Sequence, residues 1–362
     1  MKPEAKNLRG ELVALAREAR GLSQAELADR MGLSQAQVSK VENGWPAPPG
    51  FERCAAALRM PLTFFQVSDP VLGPGLSEYF HRKRRATGMK LLRTVYAQNS
   101  IQSLHVTWLL RSVEVPVSIP KFNLEDMGSP QQASAALRAL WRLPAGPIRS
   151  VVSSIEAAGG IVLERPMGAI STGGLDGLSQ PISGMPPLFF INSEAPASRR
   201  RWTLAHELGH VVLHETPSAG AEQEADDFAG AFLAPPAELR ADLLMHPISL
   251  PRLVQLKAKW GISMAALARR ARQLETIDQA AYTQIFIRLG KEGWRRREPG
   301  EGEIPPERPM AMRNLLDLHR TQLGYSDEAL ARLLHLSVDE LYQEYLGPRM
   351  RLVVKDSVRL VE

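Results

Sequence analysis

The sequence predicts an α+β chain that is mostly helical, with a small sheet near its middle. Three observations carry this reading. Apolar residues recur at helical spacing through most of the 362 residues. Three short apolar runs, bounded by Gly, Pro and Ser, lie in the central third and read as strands. One phrase, a helix, a tight turn and a capped second helix, occurs three times.

The first copy of that phrase opens the chain. Ser23-Gln24-Ala25-Glu26 is a capping-box pattern ahead of a short helix with Leu27, Ala28 and Met31 inward. Gly32-Leu33-Ser34 forms the turn, and Ser34 caps a second helix whose inward residues are Val38 and Val41. Gln35, Gln37 and Lys40 then face outward, where a helix-turn-helix meets the major groove. Gln suits adenine edges, and Lys suits guanine or phosphate. Leu12 to Leu58 resembles the Cro/repressor type of DNA-binding domain, carried by Leu22-Ser23-Gln24 and Ser39-Lys40-Val41-Glu42-Asn43-Gly44. The resemblance implies a five-helix-type domain over residues 8–66, with a phosphate contact for Gln24. Gln24, Ser34, Gln35, Gln37 and Lys40 are the candidate DNA-contacting set. The competing reading is a helical module that holds protein instead.

Ser68-Asp69-Pro70-Val71-Leu72-Gly73-Pro74-Gly75 reads as a linker. The basic run Tyr79 to Arg85 suits phosphate or a solvated face equally. A long amphipathic stretch then continues to Leu110. Helices are expected over Gln131–Trp141 and Ile148–Ala158, and strands over Gly160–Glu164, Leu175–Ser179 and Pro187–Asn192. Ala169 to Gly174 reads as a loop over the site or a long hairpin connection. A sheet edge here could accept an extended peptide as one more strand, or the sheet could be simple core.

Thr203-Leu204-Ala205-His206-Glu207-Leu208-Gly209-His210 carries the sharpest chemical signal. On a helix, His206 and His210 stand one turn apart on one face, so both imidazoles can reach one Zn²⁺. Glu207 is placed to take a proton from a water and return it to a leaving amine. After a turn-rich stretch, a helix over Glu222–Leu233 buries Ala225, Phe228, Ala229, Phe232 and Leu233. Glu224 is expected as the third ligand, and Asp227 as the support of a ligand histidine. His214 lies one turn further along and is expected to overshoot the metal. Cys54 is the one cysteine, which excludes a Cys-based site and an internal disulfide.

The stretch from about Leu76 to Pro299 resembles the ImmA/IrrE family of zinc metallopeptidases. Arg201–His210 and Glu222–Ala229 carry the likeness, with weaker support from Trp294–Pro299. The resemblance implies a zincin-like domain with a small sheet, zinc held by His206, His210 and Glu224, and water activation by Glu207. It also implies that the protein cleaves, or promotes cleavage of, one specific repressor rather than digesting proteins generally.

The other two copies of the helix phrase are Leu256–Leu267 and Leu330–Leu341. In the last, Val338 and Glu340 replace Gln35 and Gln37, which suits protein packing. The middle copy carries Lys257, Lys259, Arg269 and Arg270. Both are expected as scaffold. Glu298–Pro306 reads as a final linker. The expected organisation is a DNA-binding domain at 8–66, a peptidase domain at 76–299 including a connector at 76–112, and a C-terminal helical segment at 307–346. A net charge of +5 permits nucleic-acid contact without demanding it. No apolar stretch reaches membrane-spanning length, and the start lacks a signal-peptide pattern, so a cytoplasmic protein is expected. The expected partners are double-stranded DNA, as a palindromic operator bound by a homodimer, and a protein substrate such as a repressor. Two further classes stay open: a transcription factor whose zinc domain senses without cleaving, and a toxin–antitoxin component that only binds its partner.

Overall fold

The computed structural model describes residues 8–71, 89–167, 176–216, 218–295 and 297–347. The basic run at 79–85 and the loop at 169–174 lie outside the described residues, as does part of the expected linker at 68–75.

The N-terminal region contains α1 (Gly10–Ala19), α2 (Gln24–Met31), α3 (Gln35–Glu42) and α4 (Cys54–Leu58). Both expected capping boxes form. Ser23 accepts from the Glu26 amide, and Ser34 accepts from that of Gln37. Between them Gly32 adopts φ +67°, the left-handed conformation that ends α2 and lets the chain turn. Leu27, Val38, Phe51 and Phe64 are fully buried beneath this pair.

Next comes α5 (Met89–Leu110), which packs along α1. Three shorter helices follow, α6 (Leu124–Met127), α7 (Pro130–Leu140) and α8 (Val151–Ala157), and lead to the sheet. Its strands are β1 (Ile161–Arg165), β2 (Gly177–Gln180) and β3 (Leu188–Asn192), in the order β1-β3-β2. β1 runs parallel to the central β3, with Leu163 beside Phe190. β2 runs antiparallel to β3, with Ser179 beside Phe189. β3 is buried along its whole length, and β1 and β3 carry the apolar runs Ile161–Leu163 and Leu188–Ile191.

Alternation along these strands divides the interior in two. Leu163, Leu178 and Phe190 face a core shared with α5, the N-terminal helices and the C-terminal segment. Val162, Phe189 and Ile191 face a second core, built from the helices that follow the sheet. Those are α9 (Ala197–Leu213), α10 (Ala221–Leu233), α11 (Pro236–Leu244), α12 (Leu250–Trp260), α13 (Met264–Gln273) and α14 (Gln279–Lys291). The antiparallel pair α9–α10 is tightly packed: a Cβ at Gly209 would stand 3.2 Å from the Ala225 Cα.

The C-terminal segment holds α15 (Ala311–Thr321), α16 (Asp327–Leu333) and α17 (Val338–Leu341). It returns to the first core. Arg20 donates to Glu340 at 3.4 Å, and Thr63 Oγ1 lies 2.9 Å from His335 Nδ1. The third helix phrase is therefore docked inside the molecule. The middle phrase, α12–α13, is also internal: Lys257 is fully buried on Glu298 and Glu301, and Lys259 donates to Asp242.

The Glu298–Pro306 stretch, expected as a linker from its Glu, Gly and Pro content, is a strap. Glu298 accepts from the Met264 and Ala265 amides at the start of α13. Glu301 accepts from Ser198. Just past the strap, Glu307 pairs with Arg201 and accepts from the Val152 amide at 2.8 Å. Composition misled here because every partner of these carboxylates is at least 33 positions away in sequence. Among the described residues no helix is long and apolar enough to cross a membrane.

Candidate metal centre

α9 and α10 run side by side and present a ladder of histidines to a ladder of acids. On α9, His206 and His210 are one turn apart, and their Nε2 atoms lie 3.1 Å from each other. Glu222, at the start of α10, brings Oε1 to 3.2 Å from His210 Nε2 and Oε2 to 4.0 Å from His206 Nε2. Tetrahedral ligands at about 2.0–2.1 Å from one ion sit roughly 3.3 Å apart, so these three groups converge as a zinc ligand set does. With both Nε2 atoms deprotonated, two lone pairs and a carboxylate would face one point, an arrangement that favours a cation between them.

The structure corrects two expectations on α10. Glu222, not Glu224, stands at the shared point. Asp226, not Asp227, supports a ligand: its Oδ1 lies 3.0 Å from His206 Nδ1 and also accepts from Trp202 Nε1 at 3.3 Å. The reason is helix phase. Residues two apart point about 200° apart around a helix, whereas residues four apart share a face. Glu222 and Asp226 therefore face His206 and His210 together. Glu224 turns instead to His214, and Asp227 accepts from Gln273 at 3.3 Å. The i,i+4 spacing of Glu222 and Asp226, matching that of the two histidines, was the sequence signal available for this pairing.

Glu207 is 2% exposed and points toward β2, where Ser179 Oγ donates to its Oε2 at 2.7 Å. Close approach of α9 to β2 requires Gly177. A Cβ there would stand 2.4 Å from Thr203 Cγ2 and 3.7 Å from Glu207 Cγ. Sequence reasoning missed both residues, since nothing near position 177 or 179 announces that α9 lies against this strand.

Electrostatics follow the geometry. Burial opposes protonation of His206, but the Asp226 hydrogen bond and the nearby Glu207, Asp226 and Glu222 carboxylates prevail and raise its pKa. Burial likewise pushes Asp226 up, yet the His206 contact, the Trp202 hydrogen bond and Arg269 hold it below the ordinary value. His214 is lowered, first by burial, with His210 and Lys121 adding to it against Glu224.

At the N-terminal site the candidate side chains bond mainly to one another. Gln35 donates to Gln24 at 2.9 Å, and Gln24 donates to Glu42 at 2.8 Å. Gln37 Oε1 accepts from the Ser34 amide at 2.9 Å, closing the capping box. Lys40 lies 5.6 Å over the ring of Trp45, a large apolar side chain that is 63% exposed. Gln35 and Lys40 are exposed, while Gln37 is half-buried. Cys54 is fully buried, and burial pushes its thiol up to about 12, so it packs the core and is not reactive.

Comparison with known families agrees with both regions. Residues 13–63 match the family described as a helix-turn-helix, and residues 155–272 match the IrrE N-terminal-like domain of the peptidase M78 type. No curated protein matches the chain. The molecule thus joins an N-terminal helix-turn-helix domain of the DNA-binding type to a central IrrE-like, metallopeptidase-type domain.

Proposed function

We propose that this chain is a cytoplasmic DNA-binding regulator whose central domain is a zinc endopeptidase acting on a specific partner protein, such as a repressor. The observation that carries the reading is the convergence of His206, His210 and Glu222 beside Glu207. These residues would hold Zn²⁺, which supplies Lewis acidity to a water and to the carbonyl of the bond to be cut. Glu207 takes the water's proton as the water oxygen bonds to the carbonyl carbon. It then delivers that proton to the leaving nitrogen as the C–N bond breaks. Ser179 holds one Glu207 oxygen, which keeps the other oriented for this transfer. The antiparallel strand next to α9 is β2, an edge strand, and an extended substrate segment fits beside such a strand.

On DNA, the exposed face of α3 would enter the major groove. Gln35 and Lys40 would meet base or phosphate, and Gln24 a phosphate, as a homodimer on a two-fold operator. Gln37 and Ser34 would contribute chiefly by fixing the start of α3.

The test is a time course with the purified partner and the full chain. Wild type is expected to carry about one zinc per chain and cleave. Glu207→Gln is expected to keep the zinc and lose cleavage, and Glu222→Ala to lose both. Full zinc in wild type without cleavage of any co-expressed repressor would replace this reading by a sensing domain that does not cut.

A further inference from the structure

The two ligand histidines are both held at the nitrogen facing away from the shared point, but by different means. His206 Nδ1 meets a carboxylate directly, that of Asp226. His210 Nδ1 meets another histidine, His214 Nδ1, at 3.0 Å, and His214 Nε2 meets Glu224 Oε2 at 2.9 Å. The expectation that His214 overshoots the site assumed that it continues the helix. Instead His214 is the residue just past α9, with extended backbone angles, and its ring lies beside that of His210. Lys121 Nζ donates to its carbonyl at 3.2 Å and fixes it there.

With Glu224 as a carboxylate and His214 and His210 both neutral, the two contacts admit one set of directions. An ionised Glu224 can only accept, so His214 Nε2 carries hydrogen and donates. A neutral His214 then presents a lone pair at Nδ1, which requires His210 Nδ1 to carry hydrogen and donate to it. A neutral His210 is left with its lone pair at Nε2, the atom that faces His206 and Glu222. Each link leaves one tautomer for the next.

We propose that Glu224 and His214 form a two-step relay that fixes the tautomer and ring orientation of His210, and so set the affinity of the metal centre. This rests on the reading of His206, His210 and Glu222 as ligands. His214 and Glu224 are positioning residues: they act through His210 and contact no metal. The His210 and His214 side chains are only 1% and 6% exposed, so water does not readily replace His214 as the partner of His210. Outer partners of ligand histidines typically change metal affinity by 10–100-fold.

The experiment measures zinc affinity of the full chain against a chromophoric chelator. His214→Phe and Glu224→Ala are expected to bind one zinc per chain at saturation, with Kd weakened about 10–100-fold. Glu224→Gln retains an oxygen that accepts from His214, and His214→Asn retains one that accepts from His210. Both are expected within a few-fold of wild type. Links in series also predict that the His214→Phe/Glu224→Ala double variant is no weaker than His214→Phe alone, whereas side chains that merely pack would give summed losses. Unchanged Kd in both single variants overturns the relay. So does loss of stoichiometric zinc in Glu224→Ala, which would make Glu224 a ligand. Wild-type affinity in Glu222→Ala would sink the ligand set itself, and the relay with it.

Discussion

The α2–α3 pair and the α9–α10 pair are both two-helix devices with polar bonds across the pair. In the first, Gln35 donates to Gln24 and Gln24 to Glu42, yet only this pair also fixes its helix starts by local capping boxes. In α2–α3 the capping bonds run along the chain: Ser23 to Glu26 and Ser34 to Gln37, three residues apart on surfaces open to solvent. In α9–α10 neither helix start has a side-chain cap from its own N-cap residue, and the polar bonds run between the helices instead. Asp226 bonds His206 across 20 residues and Glu224 bonds His214 across 10, at buried or half-buried positions. The first device is specified by local spacing, and its outer face is left for a partner. The second depends on the rotation of one helix against another, and its polar groups complete each other.

Close helix contact is where this difference is most exposed to mutation. Gly10 lets α1 lie against the end of α3, where an added Cβ would stand 1.9 Å from the Val41 carbonyl oxygen, which is backbone and cannot turn away. Gly209 lets α9 lie against α10, but its nearest neighbours would be 3.2–3.3 Å away. Gly10→Ala is therefore expected to destabilise by about 3 kcal/mol, at the upper end for overpacking, and to abolish DNA binding. Gly209→Ala is expected to cost about 1 kcal/mol, with a measurable weakening of zinc. Denaturant melts of the two variants, with a zinc titration of the second, compare them. A larger stability loss for Gly209→Ala would reverse the ranking.

A smaller effect probes the outer face of α3. Gln35→Ala is expected to weaken binding to the preferred site by about 1–3 kcal/mol and to blur its sequence preference. Equal binding by wild type and variant in a titration would make this face a protein-docking surface. The smallest effect concerns the cap. Ser34→Ala should lower stability by roughly 1 kcal/mol, and Ser337→Ala, at the matching position of α17, by a similar amount. Unequal losses, read as shifts in Tm, would show that docking of α16–α17 on the N-terminal domain overrides the shared local rule.

This contrast also explains what was legible beforehand. Helix starts at Ser23, Ser34, Ser263 and Ser337, the three strands, and the pairing of His206 with His210 are all set within a few residues of chain. They could be read directly. The i,i+4 spacing of Glu222 and Asp226 hinted at their pairing with the histidines, but deciding between Glu222 and Glu224 rests on the phase of α10 against α9, where Gly209 meets Ala225 and Phe228. Ser179, Gly177 and the carboxylates of the 298–307 strap lie tens to more than a hundred residues from what they bond or touch, so no local pattern marks them. The position of Gln37 is outward, yet its side chain folds back on Ser34. That its amide would close a cap follows from Ser34 three residues earlier, a pattern already recognised at Ser23 and Glu26.

Helix α5 gives the molecule an unexpected seam. One side of it holds α1, where Gln98 donates to the Ala19 carbonyl at 2.8 Å, and another holds the sheet, where Ser103 donates to Gln180 at 2.6 Å. Gln180 follows Ser179, the residue that holds Glu207. The DNA-binding domain cut at its linker therefore leaves behind a face of α5 that it is packed against. A recombination that brought a new reader domain without its own version of α5 would join surfaces that had never been selected to fit. The mismatch would reach Glu207 through two adjacent residues of one short strand. A reader exchanged without α5 would lose these contacts, and one exchanged with it would still have to fit the C-terminal segment that Arg20 and Thr63 meet.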